Sequence, residues 1–184
     1  MATITIGSGT GTRNNYAGAG TARLDTTGPA DGTGIITTWK VWLYAGPATS
    51  GKFGTATKSG TTVTVRDVDT VGAIAAGSEQ TFTGLSTDVV TGDFACQINQ
   101  PWAAYIYFGY TAPNNFLYNG ADLTAGSSVW TDGGYQQKYA FGGTGTTVSG
   151  WTNIAKVFGV GQADIAKVMG VAIADIAKID GVAV

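Results

Sequence analysis

The clearest pattern in this chain is the alternation of apolar and polar residues along short segments. It is strongest from Gly34 to Tyr44. Successive side chains of a β-strand point to opposite faces, so this alternation predicts a half-buried strand. One face would carry Trp39, Val41 and Leu43, and the opposite face would carry Lys40, Trp42 and Tyr44.

Similar but weaker patterns recur before residue 148, separated by turn-forming residues such as Gly28 to Gly32 and Ser59-Gly60. About nine short strands with this spacing, and no helical period, are typical of an antiparallel sandwich of jelly-roll type. We therefore predict a mainly β fold. Besides Gly34–Tyr44, the candidate segments from which these strands are expected are Ala2–Ile6, Thr21–Asp25, Lys52–Lys58, Thr61–Arg66, Val68–Ile74, Glu79–Thr83, Gly92–Ile98, Ala104–Tyr110, Val129–Trp130 and Tyr135–Phe141.

The strand patterns end at a run of glycine and threonine, Gly142 to Thr147. Such low-complexity composition is typical of a flexible linker. We therefore predict two parts, a β-sandwich over residues 1–147 and a C-terminal assembly or docking segment over residues 148–184.

The C-terminal segment contains three copies of an 11-residue repeat, beginning at Asn153, Asp164 and Asp175. Each copy has Ile-Ala-Lys, then a valine or isoleucine, and later Gly-Val at the same positions. In one interpretation, the Asn or Asp caps a short helical turn that the glycine ends, and the residues after the glycine are extended. In the other, the repeat forms a slightly right-handed coiled coil. Glycine inside a helix costs about 1 kcal/mol, which favours the capped turns.

Neither form of the repeat is expected to be stable alone, because so short an apolar segment cannot bury its own surface. We predict that its apolar residues pack against a partner, which is either the same segment of other subunits or a groove on a larger particle. Folding back onto the sandwich is the alternative. The predicted assembly residues are Ile154, Val157, Ile165, Val168, Ile176 and Ile179.

Composition narrows the functional classes. The net charge is −2 and the cations are scattered, which argues against nucleic-acid binding, since phosphate neutralisation needs clustered cations. There is no histidine, so the usual general base and zinc ligand are missing. The single cysteine, Cys96, lies in an alternating segment and is predicted to be a buried apolar residue. We predict a protein that is not an enzyme and has no cofactor and no bound metal.

Acidic residues provide two weaker alternatives. Asp67, Asp69, Asp88 and Asp93 could supply oxygen ligands to calcium, but we expect them to be solvated residues of turns, since no segment has enough ligands. A glycosidase needs two carboxylates that flank one bond. The candidate pairs are Asp25 with Asp31 and Glu79 with Asp93.

Aromatic residues crowd between positions 102 and 135, interleaved with asparagine and glutamine. Sugars stack on exposed aromatic rings and accept hydrogen bonds from amides at the rim, so a carbohydrate site is one interpretation. Packing of alternate aromatics in the core is another, and a protein interface is a third. The candidate ligand-binding residues are Trp102, Tyr110, Asn114, Asn115, Tyr118, Trp130 and Tyr135.

The repeat resembles the C-terminal tails of predicted structural proteins of bacteriophages. The preceding domain is similar to β domains of that group over Ala2–Gly9, Ile35–Leu43, Thr62–Gly72, Gly77–Phe82 and Gly92–Ala95. It departs from the group after Phe94, where Ala95 to Asn99 replaces a more apolar strand. The resemblance implies a capsid decoration protein, a head fibre or a tail-associated fibre, and it implies no catalytic residues.

The N-terminus has neither the basic region nor the apolar run of a secretory signal, and no segment reaches the ~20 apolar residues of a membrane span. Together with the resemblance, this implies a virion component made in the host cytoplasm, with no membrane partner. Its expected partners are further copies of itself, with a trimer as the first guess, or other capsid or tail proteins, or both. The carbohydrate interpretation of the aromatic residues adds a host-surface glycan.

Overall fold

The computed structural model describes residues 1–11, 14–18, 20–100, 104–110, 116–134 and 137–147, and six two-residue strands between 156 and 183. The chain divides into two compact units. One comprises Ala2–Thr147, and the other comprises Val148–Val184 together with Met1. The described residues of the first unit are mainly β, as the alternation predicts, and form two sheets of seven strands each.

The first sheet has the order β1-β14-β4-β9-β13, with β2 paired to β9 and β7 paired to β4. Every pairing in it between these strands is antiparallel. Its strands are β1 (Thr3–Gly9), β2 (Asn15–Gly18), β4 (Gly34–Ala45), β7 (Glu79–Val89), β9 (Tyr105–Tyr110), β13 (Gln137–Tyr139) and β14 (Phe141–Thr147).

The second sheet has the order β11-β6-β5-β8-β3-β10-β12, again with antiparallel pairings. The β5–β6 turn is formed by Gly60 and Thr61, one residue later than predicted, because Ser59 already pairs with Thr62. The strands are β3 (Ala22–Asp25), β5 (Ala48–Ser59), β6 (Thr62–Ile74), β8 (Phe94–Gln100), β10 (Leu117–Asn119), β11 (Gly126–Val129) and β12 (Thr131–Asp132).

The main core lies between the inner faces of the two sheets, which gives a sandwich-like arrangement. Trp39 of β4 stacks on Phe53 of β5, with ring centroids 5.5 Å apart. The predicted faces of β4 are confirmed, since Trp39, Val41 and Leu43 are fully buried. Burial of the whole indole requires a partner for its N–H, and Trp39 Nε1 donates to Thr87 Oγ1 at 2.9 Å.

A second cluster covers the other face of the second sheet. Alternate residues of its strands point there, including Val63 and Val65 of β6. Cys96 belongs to this cluster and is fully buried, as predicted, and desolvation raises the pKa of its thiol. Residues that follow β10 complete the cluster, namely Leu123 and Trp130.

The prediction of a linker at Gly142 to Thr147 is wrong. This segment is β14, which pairs with β1 on one side and β4 on the other. Its glycines let neighbouring groups approach closely: a Cβ atom on Gly143 would lie 2.7 Å from Ile36 Cγ2 and 3.0 Å from the ring of Trp39. Glycine here makes room for large core side chains instead of loosening the chain.

Within the described residues of the second unit, each repeat forms a two-stranded antiparallel sheet. Val157 pairs with Val160, Val168 with Val171, and Ile179 with Val182. The strands are β15 (Lys156–Val157), β16 (Val160–Gly161), β17 (Lys167–Val168), β18 (Val171–Ala172), β19 (Lys178–Ile179) and β20 (Val182–Ala183).

These pairings correct part of the predicted structure of the repeat. The extended residues after each glycine are observed at β16, β18 and β20. The Lys-Val or Lys-Ile pair of each copy is a strand, not part of a helical turn or a coiled coil. The β-branched residues of these pairs favour strands, and the two residues between the paired positions always end in glycine, which is typical of a hairpin.

Candidate binding face

Five aromatic residues from three strands lie on the outer face of the first sheet, and we call this group the tyrosine face. It consists of Tyr16 on β2, Trp42 and Tyr44 on β4, and Tyr105 and Tyr107 on β9. Tyr16 pairs directly with Tyr107, so their side chains share one face of the sheet. The alternate residues of β9, Ile106 and Phe108, are buried in the core.

The rings of the tyrosine face contact one another. Tyr16 and Tyr44 are stacked, with centroids 4.3 Å apart and planes 9° apart. Tyr105 meets the Tyr16 ring edge-on at 5.7 Å, and Tyr107 contacts Tyr44 and Trp42 in T-shaped arrangements at 5.0 and 5.9 Å. Tyr16, Tyr44 and Tyr105 remain 54%, 42% and 37% exposed, so these large apolar rings are held together in contact with solvent.

An ion pair lies beside the tyrosine face. Lys40 Nζ is 2.9 Å from Glu79 Oε1, and Glu79 is the cross-strand partner of Trp42. The hydroxyl of Thr10 also donates to Glu79. This hydrogen bond, and after it the one from Lys40, hold the pKa of Glu79 below its ordinary value. The carboxylate is therefore charged and compensated by Lys40 at neutral pH.

The tyrosine face differs from the site predicted from the sequence. Trp130 is only 4% exposed and lies in the second cluster, where its Nε1 donates to Ser128 Oγ at 2.8 Å. Tyr118 is half-buried and stacks on Phe116 at 5.7 Å. Tyr110 pairs through its backbone with Gln137. The remaining predicted ligand residues lie outside the described part of the chain: Trp102, Asn114, Asn115 and Tyr135.

Sequence reasoning missed Tyr16 and Tyr44 as site residues. Tyr16 falls in a segment that its Gly, Thr and Asn content marks as a loop, although residues 15–18 form β2. Tyr44 was placed correctly on the outer face of β4, but alternation does not reveal which other strands bring aromatic rings beside it. A ligand site built from β2, β4 and β9 depends on strand order, which is a tertiary property.

The carboxylates of the candidate calcium ligands Asp67 and Asp69 accept hydrogen bonds that join different strands. Asp67 and Asp69 are not in a turn as predicted but within β6, which continues through them. Asp67 Oδ2 accepts a hydrogen bond from the backbone N–H of Asp88 at 2.9 Å. Asp69 Oδ2 accepts from Thr87 Oγ1 at 2.6 Å. Because β6 and β7 belong to different sheets, these carboxylates connect the two layers. No group of three or more potential metal ligands occurs among the described residues.

The members of the two candidate glycosidase pairs also have separate partners. Asp25 is fully buried and accepts hydrogen bonds from Ser8 and Thr27. Asp31 is exposed and accepts from the backbone and hydroxyl of Thr5, which lowers its pKa. Asp93 is 1% exposed and forms a two-pronged ion pair with Arg66, at 2.7 and 3.1 Å, that raises the pKa of the guanidinium.

A group of buried polar side chains lies on β3 and β8. Gln97 and Asn99 are fully buried, and Gln97 pairs across the strands with Arg23. Both amide atoms of each, and Nε of Arg23, have no hydrogen-bond partner within the described part of the chain. The guanidinium of Arg23 lies 5.5 Å from the centre of the Tyr139 ring and donates to the carbonyl of Gly18.

The predicted assembly residues divide into two sets. Val157, Val168 and Ile179 lie on the first strand of each repeat hairpin, directly paired with Val160, Val171 and Val182. Ile154, Ile165 and Ile176 lie outside the described residues.

Comparison with models of protein families, with curated proteins and with solved structures gives no match. Among the described residues, no helix has the length and apolar character needed to cross a membrane.

Proposed function

We propose that this chain is a non-enzymatic structural protein of a virion, a capsid decoration protein or a fibre. In this proposal a jelly-roll-like β-sandwich is displayed by a C-terminal repeat that assembles with other subunits or docks on a capsid or tail protein. The two seven-stranded antiparallel sheets support the sandwich. The resemblance of the repeat and of the β domain to bacteriophage structural proteins supports the proposed location in a virion.

The observation that carries the proposal is the equal register of the three repeat hairpins. In each, the residue before the two-residue connection pairs with the residue after it, and both are valine or isoleucine. The hairpins recur every 11 residues, so the same backbone edge is presented three times along the chain. Repetition of one pairing unit is typical of a segment that adds units in a stack.

Each hairpin has little stability of its own. Its strands are two residues long, and it pairs with no further strand among the described residues. A two-stranded hairpin is at best marginally stable in water, and its outer edges leave backbone N–H and C=O groups available to another strand. Pairing with the same segment of other subunits would satisfy these groups. A trimer is the first arrangement to test.

The experiment is a measurement of molar mass by light scattering on the full chain and on a triple variant, Val157→Asp, Val168→Asp and Ile179→Asp. We expect the unchanged chain to have the mass of an oligomer and the triple variant to have the mass of a monomer, because three charges enter the paired positions of the repeat.

The matched control is Lys156→Gln, Lys167→Gln and Lys178→Gln, which changes the neighbouring residue of each repeat and leaves the apolar positions intact. We expect it to retain the oligomer. If the unchanged chain is monomeric and does not bind purified capsid or tail particles, the assembly proposal is wrong. An oligomer that survives the triple aspartate variant would also contradict it.

A further inference from the structure

We propose that the tyrosine face binds a neutral oligosaccharide, whose sugar rings stack on Tyr16, Tyr44 and Tyr105. This site lies wholly within the first unit, and the proposal is independent of the C-terminal repeat. It also differs in position from the aromatic site predicted from the sequence.

The chemistry of the exposed side chains favours a sugar. The three exposed aromatic residues of the face are all tyrosines. A phenol ring combines an apolar surface, on which the C–H groups of a sugar can stack, with a hydroxyl that exchanges hydrogen bonds with sugar hydroxyls. Within the described residues the exposed large aliphatic side chains lie elsewhere, at Met1, Val90 and Val129.

The rings are arranged before any ligand arrives. Tyr16 is held by stacking on Tyr44 and by the edge of Tyr105, and Tyr44 is held in turn by Tyr107. Aromatic side chains have few rotatable bonds, and rings that already fix one another lose little further freedom on binding. This low entropic cost favours binding of a ligand such as a sugar chain, because each sugar unit makes only a few contacts with the protein.

The ring spacing favours a short sugar chain. The centroid of Tyr16 lies 4.3 Å from that of Tyr44 and 5.7 Å from that of Tyr105, although β9 lies between β2 and β4. The exposed rings therefore form one compact group, which a short oligosaccharide can cover.

Electrostatics favour a ligand without charge. The nearest ion pair, Lys40 with Glu79, is internally compensated at 2.9 Å. Lys138 of β13 lies on the same outer face, opposite Gly109 and four residues along β9 from Tyr105. A sialylated or sulfated glycan would need an uncompensated cation beside the exposed rings themselves, and a basic ligand would need a free carboxylate there. The tyrosine face itself supplies only hydroxyl groups, one indole N–H and ring surfaces.

A second copy of this chain is the competing occupant. Interfaces between proteins are also rich in tyrosine. A stable interface buries about 800 Å² of each partner, or about 20 to 30 residues. The exposed part of the tyrosine face consists of three rings, and the exposed large aliphatic side chains of the described residues lie elsewhere. A carbohydrate is therefore the occupant that the size of the face fits.

The experiment applies the full chain to an array of neutral, sialylated and sulfated glycans, and then measures the neutral hits by saturation-transfer NMR and titration calorimetry. We expect binding to neutral oligosaccharides, with transfer to the sugar ring protons. Tyr16→Ala should weaken this binding by about tenfold or more, since stacking of one ring is worth about that factor. Tyr16→Phe should retain most of it, because the stacking surface remains.

Val129→Ala is the matched control, since Val129 is 73% exposed and lies on the second sheet. It should bind like the unchanged chain, and thermal unfolding should show that all variants are folded. Binding unaffected by Tyr16→Ala, binding restricted to charged glycans, or no binding to any neutral glycan would overturn the proposal. So would self-association that Tyr16→Ala abolishes, because the face would then be an interface between copies. A failure of the C-terminal repeat to assemble would leave this result unchanged.

Discussion

Gly145 of β14 lies directly against the backbone of Ile35 in β4. A Cβ atom at Gly145 would be only 1.9 Å from the carbonyl oxygen of Ile35. The register between the two strands shifts between Thr144 and Gly145, which brings the two backbones together at this point. Gly145 belongs to a segment whose composition resembles a linker. The pairing of β14 with β4 nevertheless requires glycine at this position.

Replacement of Gly145 by alanine should therefore destabilise the fold. We expect Gly145→Ala to lower the free energy of unfolding by about 3 kcal/mol or more, because backbone atoms must move to admit the methyl group. Urea denaturation of the full chain measures the change. Gly120→Ala is the control, since an added Cβ there meets no atom within 4 Å. Equal stability of the two variants would contradict the close approach.

The Arg66–Asp93 ion pair should contribute more to the free energy of unfolding than the exposed Lys40–Glu79 pair. Asp93 is 1% exposed, and Arg66→Met would leave its carboxylate without a cationic partner. We expect a loss of about 2 kcal/mol in chemical denaturation. Lys40→Met, which removes a partner of the exposed Glu79, should cost less than about 1 kcal/mol. A reversed order of the two losses would contradict this assignment.

The buried amides of β8 are predicted to reduce stability. Polar atoms buried without hydrogen bonds cost about 1 to 3 kcal/mol, and an apolar residue of similar size avoids that cost. We therefore expect Gln97→Met to raise the free energy of unfolding by about 1 kcal/mol.

Gln137→Met is the control for the amide prediction. The hydroxyl of the buried Tyr139 donates a hydrogen bond to Gln137 Oε1, so loss of this acceptor should destabilise the protein. A thermal-shift assay can rank the two variants. A loss of stability in Gln97→Met would mean that its amide makes a favourable interaction in solution.

Asp25 should make stability fall as the pH rises. Desolvation raises the pKa of its carboxyl, although hydrogen bonds from Ser8 and Thr27 oppose the shift. The folded state therefore binds the proton more tightly than the unfolded state. The stability that this proton binding adds is lost as the pH rises from the unfolded pKa of 3.8 through the raised folded pKa. The stability of the unchanged chain relative to Asp25→Asn should thus decrease from pH 4 upward.

Asp31 is the internal control for the pH dependence, because hydrogen bonds from Thr5 lower its pKa. Its contribution is fully present above the unfolded value and is lost as the pH falls through the lowered folded value. The difference in unfolding free energy between the unchanged chain and Asp31→Asn should therefore change with pH in the opposite direction, and this change should occur below pH 3.8. Denaturation by guanidinium chloride at several pH values measures both pH dependences. The same slope for both residues would contradict the assigned causes.

Local patterns along the sequence determine a large part of this fold. The inner face of β4, the inward valines of β6 and the burial of Cys96 all follow from alternation, because each strand must turn one set of side chains to an apolar layer. The period of the C-terminal repeat is likewise visible in the sequence. These features depend on neighbours two residues apart, or on repetition, and need no knowledge of the sheet.

Tertiary structure decided what local patterns could not. Gly142 to Thr147 has the composition of a linker, but close packing against Ile35, Ile36 and Trp39 makes it a central strand. Trp130 has a ring suited to a ligand, but the second cluster buries it. The tyrosine face exists only because strand order places β2, β9 and β4 side by side, which brings together residues that are distant along the chain. The sequence by itself determined which face of each strand is apolar, whereas the pairing of distant strands decided which aromatic rings meet in contact with solvent.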